Sequence, residues 1–123
     1  LTADFQNNAY NTPAIYKDAI FGFGGNKTAG FIHATNFEDG ELLWKKANRE
    51  WTNQPNLVIA DGLIFALTKN NEMVLAEASR EGYKELGRVD TKLDLGRPQQ
   101  PTIANGRLYL RGMESIVWYQ ITP

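Results

Sequence analysis

Residues 54–67 read Gln54-Pro55-Asn56-Leu57-Val58-Ile59-Ala60-Asp61-Gly62-Leu63-Ile64-Phe65-Ala66-Leu67. An apolar run with β-branched residues, an Asp-Gly pair and a second apolar run make a strong short-range signal for a β-hairpin. The Asp-Gly pair fits a two-residue type I′ turn, whose central residues both need positive φ. Pro55 stands just before the first strand, where its missing N–H removes no ladder bond.

The same figure occurs twice more. Upstream it reads Thr12-Pro13-Ala14-Ile15-Tyr16-Lys17-Asp18-Ala19-Ile20-Phe21-Gly22-Phe23, and downstream Gln100-Pro101-Thr102-Ile103-Ala104-Asn105-Gly106-Arg107-Leu108-Tyr109-Leu110. In the upstream copy Asp18-Ala19 fills the turn without a glycine, which predicts strain or another turn type. Pro13, Pro55 and Pro101 stand 42 and 46 residues apart, a period typical of propeller blades. Between the hairpins, residues 30–36 and 72–78 read as third strands. After Asp39-Gly40 and Glu81-Gly82 come residues 41–45 and 83–89, which read as fourth strands. The third repeat continues only with Ser115-Ile116-Val117-Trp118-Tyr119-Gln120-Ile121. No window of helical length carries a helical period, and the nearest, residues 76–86, is interrupted by Gly82. The expectation is an all-β chain of about three four-stranded antiparallel blades, a partial β-propeller. It forms one segment over residues 1–123, with repeats over 11–50, 53–92 and 99–123.

Ala34-Thr35-Asn36-Phe37-Glu38-Asp39-Gly40-Glu41-Leu42-Leu43-Trp44 resembles the tryptophan-docking motif A-x-D-x-x-T-G-K-x-x-W of the PQQ-repeat, or quinoprotein-like, β-propellers. Ala34, Gly40 and Trp44 keep the motif's spacing, while Asn36, Asp39 and Glu41 replace its Asp, Thr and Lys. A second copy keeps Ala76 and Gly82 and has Leu86 where the Trp would stand. The resemblance runs from about Asn11 onward and points to the C-terminal blades of a longer propeller. It implies that Ala34, Gly40, Trp44 and Gly82 hold blades together: the indole fills the gap between blades and donates its N–H to a backbone carbonyl, and glycine permits a tight turn.

The family includes quinone-dependent alcohol and sugar dehydrogenases, an outer-membrane assembly lipoprotein and many secreted proteins. The leading expectation is a non-catalytic scaffold for protein or ligand binding, in a bacterial protein placed extracytoplasmically by the resemblance, with no cofactor of its own. The alternative is part of a PQQ- and calcium-dependent dehydrogenase whose active site lies mostly in other blades. Fewer than three complete blades cannot close a ring, so the expected partners are further blades of a parent chain, copies of this chain or another protein. The chain opens at Leu1 without a leader sequence, which reads as a processed or excised piece.

Composition narrows the chemistry. Hydrophobic residues make up 42% of the chain and aromatics 11%, enough for a core. A net charge of −1 offers no clustered positive field for nucleic acid, and no apolar run is long enough to span a bilayer. With no cysteine there are no disulfides, thiolate metal sites or thiol nucleophiles. Asp4, Asp61, Asp90, Asp94 and Glu114 show no ligand spacing. His33, the single histidine, lies within a strand and reads as structural. Gly22-Phe23-Gly24-Gly25-Asn26-Lys27-Thr28 lacks the glycine that a phosphate loop needs before Lys-Thr, and reads as a hairpin loop. Asn26-Lys27-Thr28 is also a glycosylation sequon. Arg49, Trp51 and Arg97, in the connections between blades, are the residue types found at interfaces and form the candidate binding set. No residue is assigned a catalytic, cofactor or metal role.

Overall fold

Asp61 and Gly62 adopt φ of 51° and 73°, and Asn105 and Gly106 adopt 52° and 72°, so both pairs form the expected two-residue turns. These values come from a computed structural model, which describes residues 13–25, 30–51, 56–92, 101–111 and 116–121. The first hairpin turns one residue earlier than its sequence indicates. Tyr16 pairs with Ala19, so Lys17 and Asp18 are the turn residues, at φ of 47° and 61°.

Around these turns the chain builds three antiparallel sheets. Blade 1 comprises β1 (Ala14–Tyr16), β2 (Ala19–Gly25), β3 (Gly30–Asn36) and β4 (Leu42–Ala47) in sequential order. A 3-10 turn at Arg49–Trp51 leads into blade 2, formed by β5 (Asn56–Ala60), β6 (Leu63–Leu67), β7 (Glu72–Glu77) and β8 (Glu85–Asp90). Blade 3 comprises β9 (Thr102–Ala104), β10 (Arg107–Arg111) and β11 (Ile116–Gln120). The described residues contain no α-helix. The all-β reading and its strand order hold, with the third blade three-stranded among the described residues.

Strand alternation explains why the sheets stack. Successive side chains point to opposite faces, so a strand with apolar residues at consecutive positions is buried on both sides. In β6, Ile64 and Ala66 join Phe21, Ile32 and Val74 in one core between blades 1 and 2. Phe65 and Leu67 of the same strand join Met73, Leu108 and Leu110 in a second core between blades 2 and 3. Blade 2 is thus the filling of a sandwich. Each fully buried Leu, Ile or Phe contributes about 1.5–3 kcal/mol relative to exposure, so these two cores are the main source of cohesion between blades.

Candidate functional site

Trp44, on the outer strand of blade 1, donates its Nε1–H to the backbone carbonyl of Ser79 in blade 2 at 2.7 Å. Its ring centroid lies 6.2 Å from that of Phe21 in its own blade and 6.0 Å from that of Tyr83 across the junction. Ala34 pairs directly with Trp44 and is fully buried, its small side chain leaving room for the indole. Gly40 has φ of 72°, a conformation costly for any residue with a Cβ, at the turn where its N–H donates to the Asn36 carbonyl at 2.9 Å. These three residues occupy the arrangement their motif implies.

Blade 2 departs from it. In both blades the third and fourth strands shift register at the equivalent place, and the connection between them is two residues longer in blade 2, which displaces the sequence count. Phe21 pairs with Ala34 and Phe65 with Leu75, so Leu75, rather than Ala76, is the counterpart of Ala34. Leu75 in turn faces Gly87. The residue standing where Trp44 stands is therefore Gly87, and Leu86 is the extra residue of the bulge, 57% exposed. Gly82 is not in the left-handed region, and a Cβ there would meet nothing within 4 Å, so the docking role expected of it has no steric basis.

Of the candidate binding set, Trp51 is only 2% exposed, with its ring 5.2 Å from that of Phe23 in the core between blades 1 and 2. It is a packing residue rather than one presented to a partner. Arg49 begins the 3-10 turn, and its side chain lies outside the described residues, as does all of Arg97. His33 is fully buried, with Nδ1 3.1 Å from Thr35 Oγ1, and burial lowers its pKa to about 4. It is held neutral at physiological pH. The glycine-rich stretch forms the end of β2, and Asn26, Lys27 and Thr28 lie outside the described residues.

A cluster that sequence spacing did not reveal sits at the same junction. Arg88 donates from Nη1 to Glu50 Oε2 at 2.8 Å and to Glu72 Oε1 at 3.2 Å. Its Nη2 reaches Glu50 Oε1 at 3.2 Å and Glu85 Oε1 at 2.7 Å, and its Nε reaches Glu85 Oε2 at 3.0 Å. Glu50, in the connection from blade 1, is 8% exposed, so this guanidinium neutralises a carboxylate already removed from water. Hydrogen bonding to Arg88 holds the Glu85 carboxyl below its usual range, and burial followed by the bond to Glu85 pushes the Tyr83 hydroxyl up. Glu85 and Arg88 are three apart, which in a regular strand would place them on opposite faces. The bulge at Leu86 turns both toward blade 1. With Nε, Nη1 and Nη2 all engaged by carboxylates, Arg88 is a clamp between blades, not a receptor for a substrate anion. Among the described residues no group of His, Asp and Glu is arranged to hold a metal ion.

The feature that faces outward is on blade 3. Trp118 pairs with Tyr109 just as Ala34 pairs with Phe21 and Leu75 with Phe65. It therefore lies on the face with which blades 1 and 2 grip the following blade. Trp118 is 48% exposed and Ile116 67%, and the Arg107 guanidinium stacks 4.3 Å from the Trp118 ring centroid. Sequence reading treated Trp118 only as part of a last strand. Its place on the free face follows from the register of β10 against β11.

This architecture agrees with a known structure. No family model matches the chain, nor does any curated protein. BamB from Moraxella catarrhalis superposes on 88% of the chain with a TM-score of 0.63 at 24% identity. The fold is a segment of a β-propeller. The chain covers 30% of the length of that BamB, so it corresponds to part of such an architecture.

Proposed function

We propose that this chain is a non-catalytic, PQQ-like β-propeller segment that serves as a scaffold for binding protein, in a bacterial extracytoplasmic setting. The outward face of blade 3 carries this reading: an exposed Trp118 under Arg107, beside Tyr109 and Ile116. Trp, Tyr and Arg are the residue types that dominate binding energy at protein interfaces, because they combine large apolar area with a polar handle. The polar groups at the junction of blades 1 and 2, by contrast, are engaged with each other. Further blades of a parent chain, or copies of this one, complete the ring. The likeness to BamB supports the propeller architecture of this reading.

The competing dehydrogenase reading is separated by a thermal melt of this chain with saturating PQQ and calcium. A ligand bound by the folded chain raises its Tm in proportion to the logarithm of ligand concentration. No shift is expected. A saturable rise would overturn the scaffold reading in favour of a cofactor site within these blades.

A further inference from the structure

Asn105 and Gly106 form the turn between β9 and β10, at φ of 52° and 72°, and Asn105 is exposed. Theirs is the one Asn-Gly pair in the sequence. Two features make such a pair reactive. Gly106 has no side chain to shield its backbone nitrogen. A carboxamide can expel ammonia when that nitrogen attacks it, whereas a carboxylate is a far poorer electrophile. We propose that Asn105 is a site of spontaneous covalent modification, and that opening of the β9–β10 hairpin controls its rate.

The chemistry needs only water. The Gly106 nitrogen attacks Cγ of Asn105 and gives its proton to solvent, the Cγ–Nδ2 bond breaks, and ammonia leaves behind a five-membered imide. Water then opens the imide at either carbonyl, giving aspartate or isoaspartate. Both products add a negative charge, and isoaspartate routes the main chain through its side-chain carbon. The extra methylene does not fit a two-residue turn that pairs Ala104 directly with Arg107, so the hairpin cannot close again as before. Isoaspartate at position 105 is thus a lasting mark of a past opening, and a methyl acceptor for an isoaspartyl methyltransferase.

The closed turn protects Asn105. The first residue of a type I′ turn has ψ of about +30°. That rotation sets the next nitrogen nearly opposite Cβ about the Cα–C bond, whereas ring closure needs the two nearly eclipsed. The imide therefore forms from the open hairpin, at the rate of a free peptide multiplied by the open fraction.

Blade 3 has the more easily opened hairpin. β9 pairs with β10 over three residues, of which Thr102 and Ala104 are exposed. β5 pairs with β6 over five, none of them exposed. The Asp61-Gly62 turn is also backed by blade 1, where a Cβ on Gly62 would come 3.0 Å from the Tyr16 hydroxyl. At Asp39-Gly40 both reacting groups are engaged: Asp39 Oδ1 accepts the Glu41 N–H at 2.9 Å, and the Gly40 N–H donates to the Asn36 carbonyl at 2.9 Å.

The test incubates the full chain in mildly alkaline buffer. Peptide mapping reads a mass gain of about 1 Da at Asn105, and an isoaspartyl methyltransferase with tritiated S-adenosylmethionine reads the isoaspartate. A capped peptide of residues 101–111 supplies the rate of the open chain. Asn105 in the folded chain should react at least tenfold more slowly than in the peptide, and concentrated urea should bring the two rates together. Asp61→Asn places the same reactive pair in blade 2, where position 61 should react at least tenfold more slowly than Asn105 of the same molecule. Asn105→Gln should abolish methyl transfer at this turn. A folded-chain rate equal to that of the peptide would overturn the control by opening. Equal or faster reaction at position 61 would overturn the contrast between the hairpins. No isoaspartate at Asn105 after incubation roughly a hundredfold longer than the peptide needs would overturn the site itself.

Discussion

Lys17 and Asp18 are consecutive non-glycine residues at positive φ, a conformation in which each Cβ crowds the neighbouring carbonyl. The fold holds them there by engaging the Asp18 carbonyl twice, from Phe37 N–H at 2.8 Å and from Arg80 Nη1 at 2.9 Å. Asp18→Gly should therefore stabilise the chain by about 0.5–1 kcal/mol in urea denaturation, the strain relief exceeding the entropy of a freer unfolded chain. Gly62→Ala should do the opposite, because φ there is +73° and the new Cβ would lie 3.0 Å from the Tyr16 hydroxyl. A stabilising Gly62→Ala, or a destabilising Asp18→Gly, would contradict this account of the turns.

His33 makes a second prediction at the residue scale. Its native pKa of about 4 lies below the 6.5 of an exposed histidine, so between those values the unfolded chain binds a proton that the native one does not. Its contribution to stability is complete above the unfolded pKa and is lost as pH falls from 6.5 toward 4. From pH 7 to pH 5 the loss should be about 2 kcal/mol. His33→Gln should flatten the urea-midpoint profile across that window, and an unchanged profile would show that another group carries the acid sensitivity.

At the scale of elements, one hydrogen bond and one bulge decide how blades 1 and 2 meet. Trp44→Phe keeps most of the ring packing and removes the donor to Ser79, so it should cost about 1 kcal/mol. Trp44→Ala also removes the plate between Phe21 and Tyr83 and should cost about 3 kcal/mol. Equal costs would mean that packing contributes nothing at the junction. The connection between the third and fourth strands bears on what could be read from sequence. Counting ten residues from Ala34 reaches Trp44, but the same count from Ala76 reaches Leu86, the bulged residue. Both blades carry the bulge at the equivalent place, so the miscount comes from a β7–β8 connection two residues longer, whose pairing no local signal marks, and neither Gly87 nor the Glu50–Arg88 clamp was legible. The hairpins were legible because Asp-Gly and Asn-Gly specify their turns by local backbone chemistry alone. The one error, a single-residue slip at Lys17-Asp18, arose where glycine was missing.

For the whole molecule, stacking rather than strand length sets local stability. β6 has a paired strand on each side and a core on each face, whereas among the described residues β11 pairs with β10 and exposes Ile116 and Trp118. Native-state hydrogen exchange should therefore be slowest in β6 and its partner β7, and faster in β11, as expected of units that gain cohesion from their neighbours. Slowest exchange in β11 would show that blade 3 does not depend on blade 2.

The amino-acid sequence alone determined the class, the repeat period and two of the three hairpin turns, because each follows from interactions within a few residues or from a fixed alternation. Tertiary structure decided the rest. Whether Trp51 binds or packs, which residue replaces Trp44 in blade 2, and that Trp118 lies on an open face all depend on register and on which sheet covers which. Those are long-range matters of volume and desolvation, and a strand carries the same local preferences whether or not a neighbour covers it.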